Sequence, residues 1–267
     1  MNQKPSKDTF QKPSTGAISL PLGADSSAPA LGLVYSSTSD TPNTQIPVDP
    51  RAARLRRLRH GVITGARLHT EQATKGGFRC FSALLTLTYR DGVTWEPRHV
   101  SDLMKHIRQW AARRGFPIRY VWVMELTKAG RPHYHAIFWL PKGVSLPKPD
   151  KQGWWQHGMT RIERARNAVG YAAKYASKGV DSGDRFPEGA RIHACGGLSK
   201  ALANERAWWL SPAWVRKRWD DPAYQPRQCK GGGWISLATG EWCESPYLVK
   251  FTGAGGLVIT VKGELTL

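Results

Sequence analysis

Two apolar runs separated by a six-residue loop constrain this chain more than any other feature. Ile118 to Leu126 and Pro132-flanked His133 to Leu140 have the make-up of strands, and Thr127-Lys-Ala-Gly-Arg-Pro132 joins them. The pattern reads as an antiparallel hairpin. Side chains alternate along a strand, so His133 and His135 share one face and Tyr134 takes the other. If the turn centres near Ala129 or Gly130, Glu125 lies close to both histidines. Two imidazoles and a carboxylate leave coordination positions open for water and a phosphate oxygen. That suits Mg2+ or Mn2+ acting on a phosphodiester. The His-x-His spacing alone is a weak signal, because two histidines on a solvent-facing strand look the same. Glu125 in hairpin register strengthens it.

The flanking sequence supplies the rest of a core. Phe81 to Tyr89 reads as a buried strand that ends at the turn signal Arg90-Asp91-Gly92. Val100, Leu103, Met104, Ile107, Trp110 and Ala111 recur at helical spacing, and Gly115 with Pro117 closes that helix. Trp154 to Glu163 reads as a further strand. A helix then runs from about Arg164 to Lys178, stopped by Gly179. Arg191 to Cys195 reads as one more short strand. The order strand, helix, hairpin, strand, helix, strand predicts an α+β fold, a central mostly antiparallel sheet with packed helices.

The second helix carries chemistry of its own. At 100° per residue, Asn167, Tyr171, Lys174, Tyr175 and Lys178 fall on one face. The opposite stripe is Ala165, Ala168, Val169, Ala172 and Ala176, small enough to pack on a sheet. Helical tyrosines usually pack, but here the alanines fill that role and leave Tyr171 and Tyr175 as neighbours at i and i+4. A phenol titrates near 10 and is a poor nucleophile at neutral pH. Adjacent lysines and a divalent ion favour the phenolate, which can then act in covalent catalysis on a phosphodiester.

Charge points to the partner. The 267 residues carry 39 Lys+Arg against 20 Asp+Glu, a formal net charge of +19. Such a balance predicts a polyanion, nucleic acid before an anionic membrane surface. Residues 1–50 hold three Lys, four Asp, seven Pro, eight Ser and five Thr, and read as a disordered arm. The basic excess therefore lies beyond them. Arg51 to Arg59 contains five arginines and reads either as a helix along a DNA backbone or as a solvated helix over the core. Arg161, Arg164 and Arg166 are candidate DNA-backbone contacts, with a solvated helix face as the rival. Cys80, Cys195, Cys229 and Cys243 form no C-x-x-C pair and read as reduced thiols of a cytoplasmic protein. No apolar run is long enough to span a bilayer, and no secretory signal is evident. Residues 201–267 form a Trp-rich extension whose tryptophans can pack or stack bases. Gly231-Gly232-Gly233 reads as a flexible joint.

Three segments together resemble the rolling-circle replication initiators of single-stranded DNA phages and related plasmids, within the His-hydrophobic-His endonuclease superfamily. Leu84 to Tyr89 is similar to the first motif, Pro132 to Phe138 to the metal motif, and Gly170-Tyr-Ala-Ala-Lys-Tyr-Ala-Ser-Lys178 to the two-tyrosine motif. The resemblance covers roughly residues 80–200. It implies an RRM-like or palm-like core over residues 51–200 that nicks an origin, with Mg2+ or Mn2+ held by His133, His135 and Glu125. It implies Tyr171 and Tyr175 as paired nucleophiles, Lys174 and Lys178 as motif lysines, a 5′-phosphotyrosine link and a free 3′-OH. Single-stranded or supercoiled origin DNA, a host helicase and a host polymerase would be the partners, in the bacterial cytoplasm. No G-x-x-x-x-G-K-[ST] motif is present, so strand separation falls to another protein. Related transposases and mobilisation relaxases share the chemistry; relaxases usually place the tyrosine before the histidine motif, the reverse of the order here. A non-catalytic DNA-binding protein is the remaining alternative.

Overall fold

The expected hairpin forms, and it sits at the centre of a five-stranded antiparallel sheet. The computed structural model describes residues 45–75, 80–181, 186–252 and 256–262. Most of the arm expected over residues 1–50 lies outside the described residues. Its last part does not: Gln45–Val48 is a strand, β1. There follow α1 (Pro50–Lys75), β2 (Cys80–Tyr89), α2 (His99–Ala112), β3 (Arg119–Leu126), β4 (Pro132–Pro141), β5 (Gly158–Arg164), α3 (Ala168–Asp181) and β6 (His193–Gly196). The sheet order is β5-β2-β4-β3-β6, and every neighbouring pair is antiparallel. The fold is therefore α+β, as the pattern predicts.

Register explains which residues meet. Glu125 pairs with His133 and Val123 with His135 across β3 and β4, which centres the turn on Ala129. On the other side of β4, Thr88 pairs with His133 and Thr86 with His135. Opposed residues point to the same face, so one face carries Thr86, Thr88, Glu125, His133 and His135. Helices α1 and α3 cover part of that face: His69 stacks on Trp139 and Tyr175 on His135. The other face carries Tyr89 and Tyr134. Trp95, just before α2, donates its indole hydrogen to Tyr134 Oη at 2.7 Å, and Tyr89 meets His99 at the start of α2. The buried row Val100, Leu103, Met104, Ile107, Trp110 and Ala111 is the helical stripe of the sequence.

Two helices depart from expectation. The arginine-rich segment is only the first part of α1, which runs to Lys75 and buries Leu58, Gly61, Val62, Gly65, Ala66, Leu68 and His69. Its opening arginines are exposed. Helix α3 begins after Asn167, which caps it: the Asn167 Oδ1 accepts from Gly170 N at 2.8 Å. Arg164, the expected start of that helix, ends β5 instead. Gly179 does not stop α3. It is buried, and a Cβ there would lie 3.1 Å from the Met124 carbonyl oxygen. Glycine is there for close helix–sheet approach rather than for a cap.

The Trp-rich segment adds α4 (Lys200–Trp209), α5 (Ala213–Arg218), a 3-10 turn at Pro222–Tyr224, and a three-stranded sheet of β7 (Pro226–Gln228), β8 (Trp234–Ser236) and β9 (Trp242–Cys243). Its tryptophans mostly pack. Trp219 is buried and donates to Glu241, Trp208 donates to the Trp219 carbonyl, and Trp209 lies under the Arg67 guanidinium. Gly231-Gly232-Gly233 is the β7–β8 turn rather than a joint: Cys229 N donates to Gly233 O at 2.7 Å, and Gly231 and Gly232 have φ of 92° and 96°. Strand β11 (Leu257–Val261) pairs with β1 on one side and with β10 (Tyr247–Phe251) on the other in a third sheet. No helix of the described residues is long and apolar enough to cross a membrane.

Candidate metal centre and tyrosine helix

The three expected ligands converge. Ligand atoms of Glu125, His133 and His135 all lie within 4.8 Å of one another, the sole such group among the described residues. Glu125 Oε1 is 2.9 Å from His135 Nε2, and Glu125 is buried. Its other oxygen, Oε2, is buried with no hydrogen-bond partner among the described residues, and Lys178 Nζ stands 3.9 Å away. A buried carboxylate oxygen in that state is costly unless a cation completes it.

The threonines of β2 orient the imidazoles. Thr86 Oγ1 lies 3.3 Å from His135 Nδ1, and Thr88 Oγ1 lies 3.3 Å from His133 Nδ1. With Nδ1 engaged by a hydroxyl, Nε2 of each ring is the nitrogen left for a cation. This is the usual arrangement behind ligating histidines. The residues present therefore fit a metal ion. Reading strand by strand missed these threonines, although the alternation Leu85-Thr86-Leu87-Thr88 in register with His-x-His carried the signal.

Electrostatics keeps the ligands ready. Burial lowers the His133 imidazole to about 4, aided by the charge of His135 and opposed by Glu125, so the ring is neutral at pH 7. Burial alone would raise the Glu125 carboxyl. The hydrogen bond and charge of His135, with Lys178 and His133, outweigh it and hold the carboxyl below its usual range.

The tyrosine helix lies directly over this centre. Tyr175 stacks on His135 with ring centroids 3.5 Å apart and planes 13° from parallel. Tyr171 follows at 6.3 Å from Tyr175, and Lys174 Nζ and Lys178 Nζ lie 5.6 and 5.7 Å from the Tyr175 ring. Ala168, Ala172 and Ala176 are buried, as their stripe predicts. The tyrosines, however, are not free of packing: both are half-buried against the core. Burial, Glu125, Glu163 and Tyr171 raise the Tyr175 phenol, and Arg161 opposes them. The protein by itself does not favour the phenolate there, contrary to what the neighbouring lysines suggest.

The three arginines separate. Arg161 pairs with Thr86 in register and stands on the site face. Arg164 and Arg166 border a cavity of about 470 Å3 beside Ser82 and Trp139, at the other end of the sheet from the histidines. None of the metal-centre residues lines that cavity.

The antiparallel α+β core thus brings a two-histidine, one-glutamate group that could hold a metal ion under a helix of paired tyrosines. Residues 82–180 match the replication-associated protein family of the ORF2 and gene II protein type, a span from β2 to the penultimate residue of α3 that takes in the whole site. The match spans 99 of the 267 residues, 82 to 180 inclusive. No curated protein and no solved structure gave a significant match.

Proposed function

We propose that this protein is a DNA-nicking transesterase that starts rolling-circle replication of a phage or plasmid by cutting one strand at an origin. The observation that carries the reading is the Tyr175 ring stacked on His135 beside Glu125, inside the span similar to replication-associated proteins. In this reading Tyr171 or Tyr175 attacks the scissile phosphorus through its phenol oxygen. The P–O3′ bond breaks, the phenol proton passes to the leaving oxygen, and the products are a 5′-phosphotyrosine and a free 3′-OH. His133, His135 and Glu125 hold Mg2+ or Mn2+, which when bound polarises the phosphate and neutralises developing charge. Lys174 and Lys178 add positive charge on the phosphate side of Tyr175. The second tyrosine allows a second transfer while the first DNA end stays attached. The 3′-OH primes a host polymerase, and a host helicase separates the strands.

The test is cleavage of end-labelled single-stranded origin DNA with Mn2+. Cleavage is expected to vanish in EDTA, in His133→Ala and in the double variant Tyr171→Phe/Tyr175→Phe. Salt-sensitive binding with no cleavage under any divalent ion would leave a DNA-binding protein and overturn the reading.

A further inference from the structure

Strand β5 is the edge of the sheet beside the metal centre. Its register with β2 puts Met159 in the row of Thr88, His133 and Glu125, and Arg161 in the row of Thr86 and His135. Both residues therefore stand on the face that carries the metal ligands, two strands from the histidines, roughly 10 Å at the spacing of neighbouring strands. That is within the reach of one nucleotide whose phosphate rests at the centre. Met159 is 74% exposed, and up to Ser236 no other large apolar side chain of the described residues is exposed. Its neighbours on that face of β5 are charged: Arg161, whose guanidinium contacts Glu163 Oε1 at 2.9 Å, and Glu163 itself. Both partners of that pair are solvent-exposed. Exposed pairs contribute about 0–1 kcal/mol, so a phosphate can take the place of Glu163 at little cost.

We propose that β5 is the contact strip for the single strand being cut, with Met159 against the base that flanks the scissile phosphate and Arg161 on the adjoining phosphate. The assignment rests on the proposed function for the identity of the ligand. An apolar side chain beside a cation, on the strand that is the edge of the sheet among the described residues, matches the two surfaces a single strand offers, the base plane and the phosphate. The strip also explains why, up to Ser236, the one exposed large apolar side chain among the described residues stands on the face that carries the metal ligands.

Binding separates this inference from the chemistry. The full-length protein is titrated with fluorescent oligo-dT in EDTA at several salt concentrations. Met159→Ala is expected to weaken binding about fivefold, as loss of a sulfur–aromatic contact does, and leave the slope of log affinity against log salt unchanged, because no charge contact is lost. Met159→Leu is expected to bind within about twofold of the parent. Arg161→Ala is expected to reduce the slope by about 0.7, one single-strand phosphate contact. Unchanged affinity in Met159→Ala, or an unchanged slope in Arg161→Ala, overturns the strip. These outcomes do not depend on whether the parent protein forms a covalent adduct, which is what decides the proposed function.

Discussion

Thr86 and Thr88 each place a hydroxyl on the far nitrogen of a histidine, and this fixes which nitrogen faces Glu125. Removing the hydroxyl while keeping the shape should loosen both rings. Thr86→Val/Thr88→Val is expected to weaken Mn2+ binding about 10–100-fold, as loss of such supporting contacts does. Calorimetric titration with Mn2+ checks it, and unchanged affinity would show the threonines to be bystanders. At this scale much of the site is legible in the sequence. Strand alternation places His133 with His135, and the hairpin register brings Glu125 to them. The position of Tyr175 is not legible. The helical wheel correctly gives the alanine stripe to packing, but it cannot show that the opposite face closes over His135 and half-buries the phenol.

Helix α1 shows why whole elements can be hidden. Its middle, Gly61 to His69, contains two glycines and a threonine, which weaken any helical reading of sequence. Packing reverses that judgement. Gly61 and Gly65 lie one turn apart, where α1 crosses β3 and β6. A Cβ on Gly65 would come within 2.8 Å of Cys195 Sγ and 3.2 Å of Val121 Cγ2. The missing side chains allow the close approach, and the buried contacts outweigh the roughly 1 kcal/mol of helix propensity lost at each glycine. Gly65→Val is therefore expected to destabilise the fold by about 1–3 kcal/mol, measured as a lower urea midpoint with an unchanged slope. Equal stability would mean that α1 does not seat on the sheet as described. The same logic accounts for Gly179, which reads as a helix stop yet serves the contact of α3 with β3.

Across the molecule, three buried histidines make stability depend on pH. Burial lowers His69, His133 and His193 to about 4 from an ordinary value of 6.5, and nearby arginines add to the effect at His69 and His193. Between pH 4 and 6.5 the unfolded chain thus binds more protons than the folded one. The stability these rings contribute is present above about 6.5 and lost as pH falls toward 4. In EDTA the thermal midpoint is expected to drop steeply over that window, and a flat profile would contradict neutral buried imidazoles. At pH 7, Mn2+ is expected to raise the midpoint with the logarithm of its concentration relative to its Kd for the folded state, and not to do so in His133→Ala. The α+β class and the succession of core elements along the chain are legible because the core strands carry their own apolar patterns, whereas the sheet order β5-β2-β4-β3-β6 is set by packing. The small Trp-rich sheet is legible in part: Trp234-Ile-Ser-Leu-Ala-Thr-Gly240-Glu-Trp242 reads as a hairpin, which β8 and β9 form, whereas the three residues of β7 carry too little pattern.

The central claim is that a tyrosine of α3 becomes joined to DNA at the metal centre. The protein is incubated with single-stranded origin DNA and Mn2+, digested with protease and nuclease, and the peptides are mapped by mass spectrometry. A nucleotide-modified peptide is expected, with the adduct on Tyr171 or Tyr175 and absent when EDTA is present. Cleaved DNA with both tyrosines unmodified, or an adduct on another residue, would contradict it.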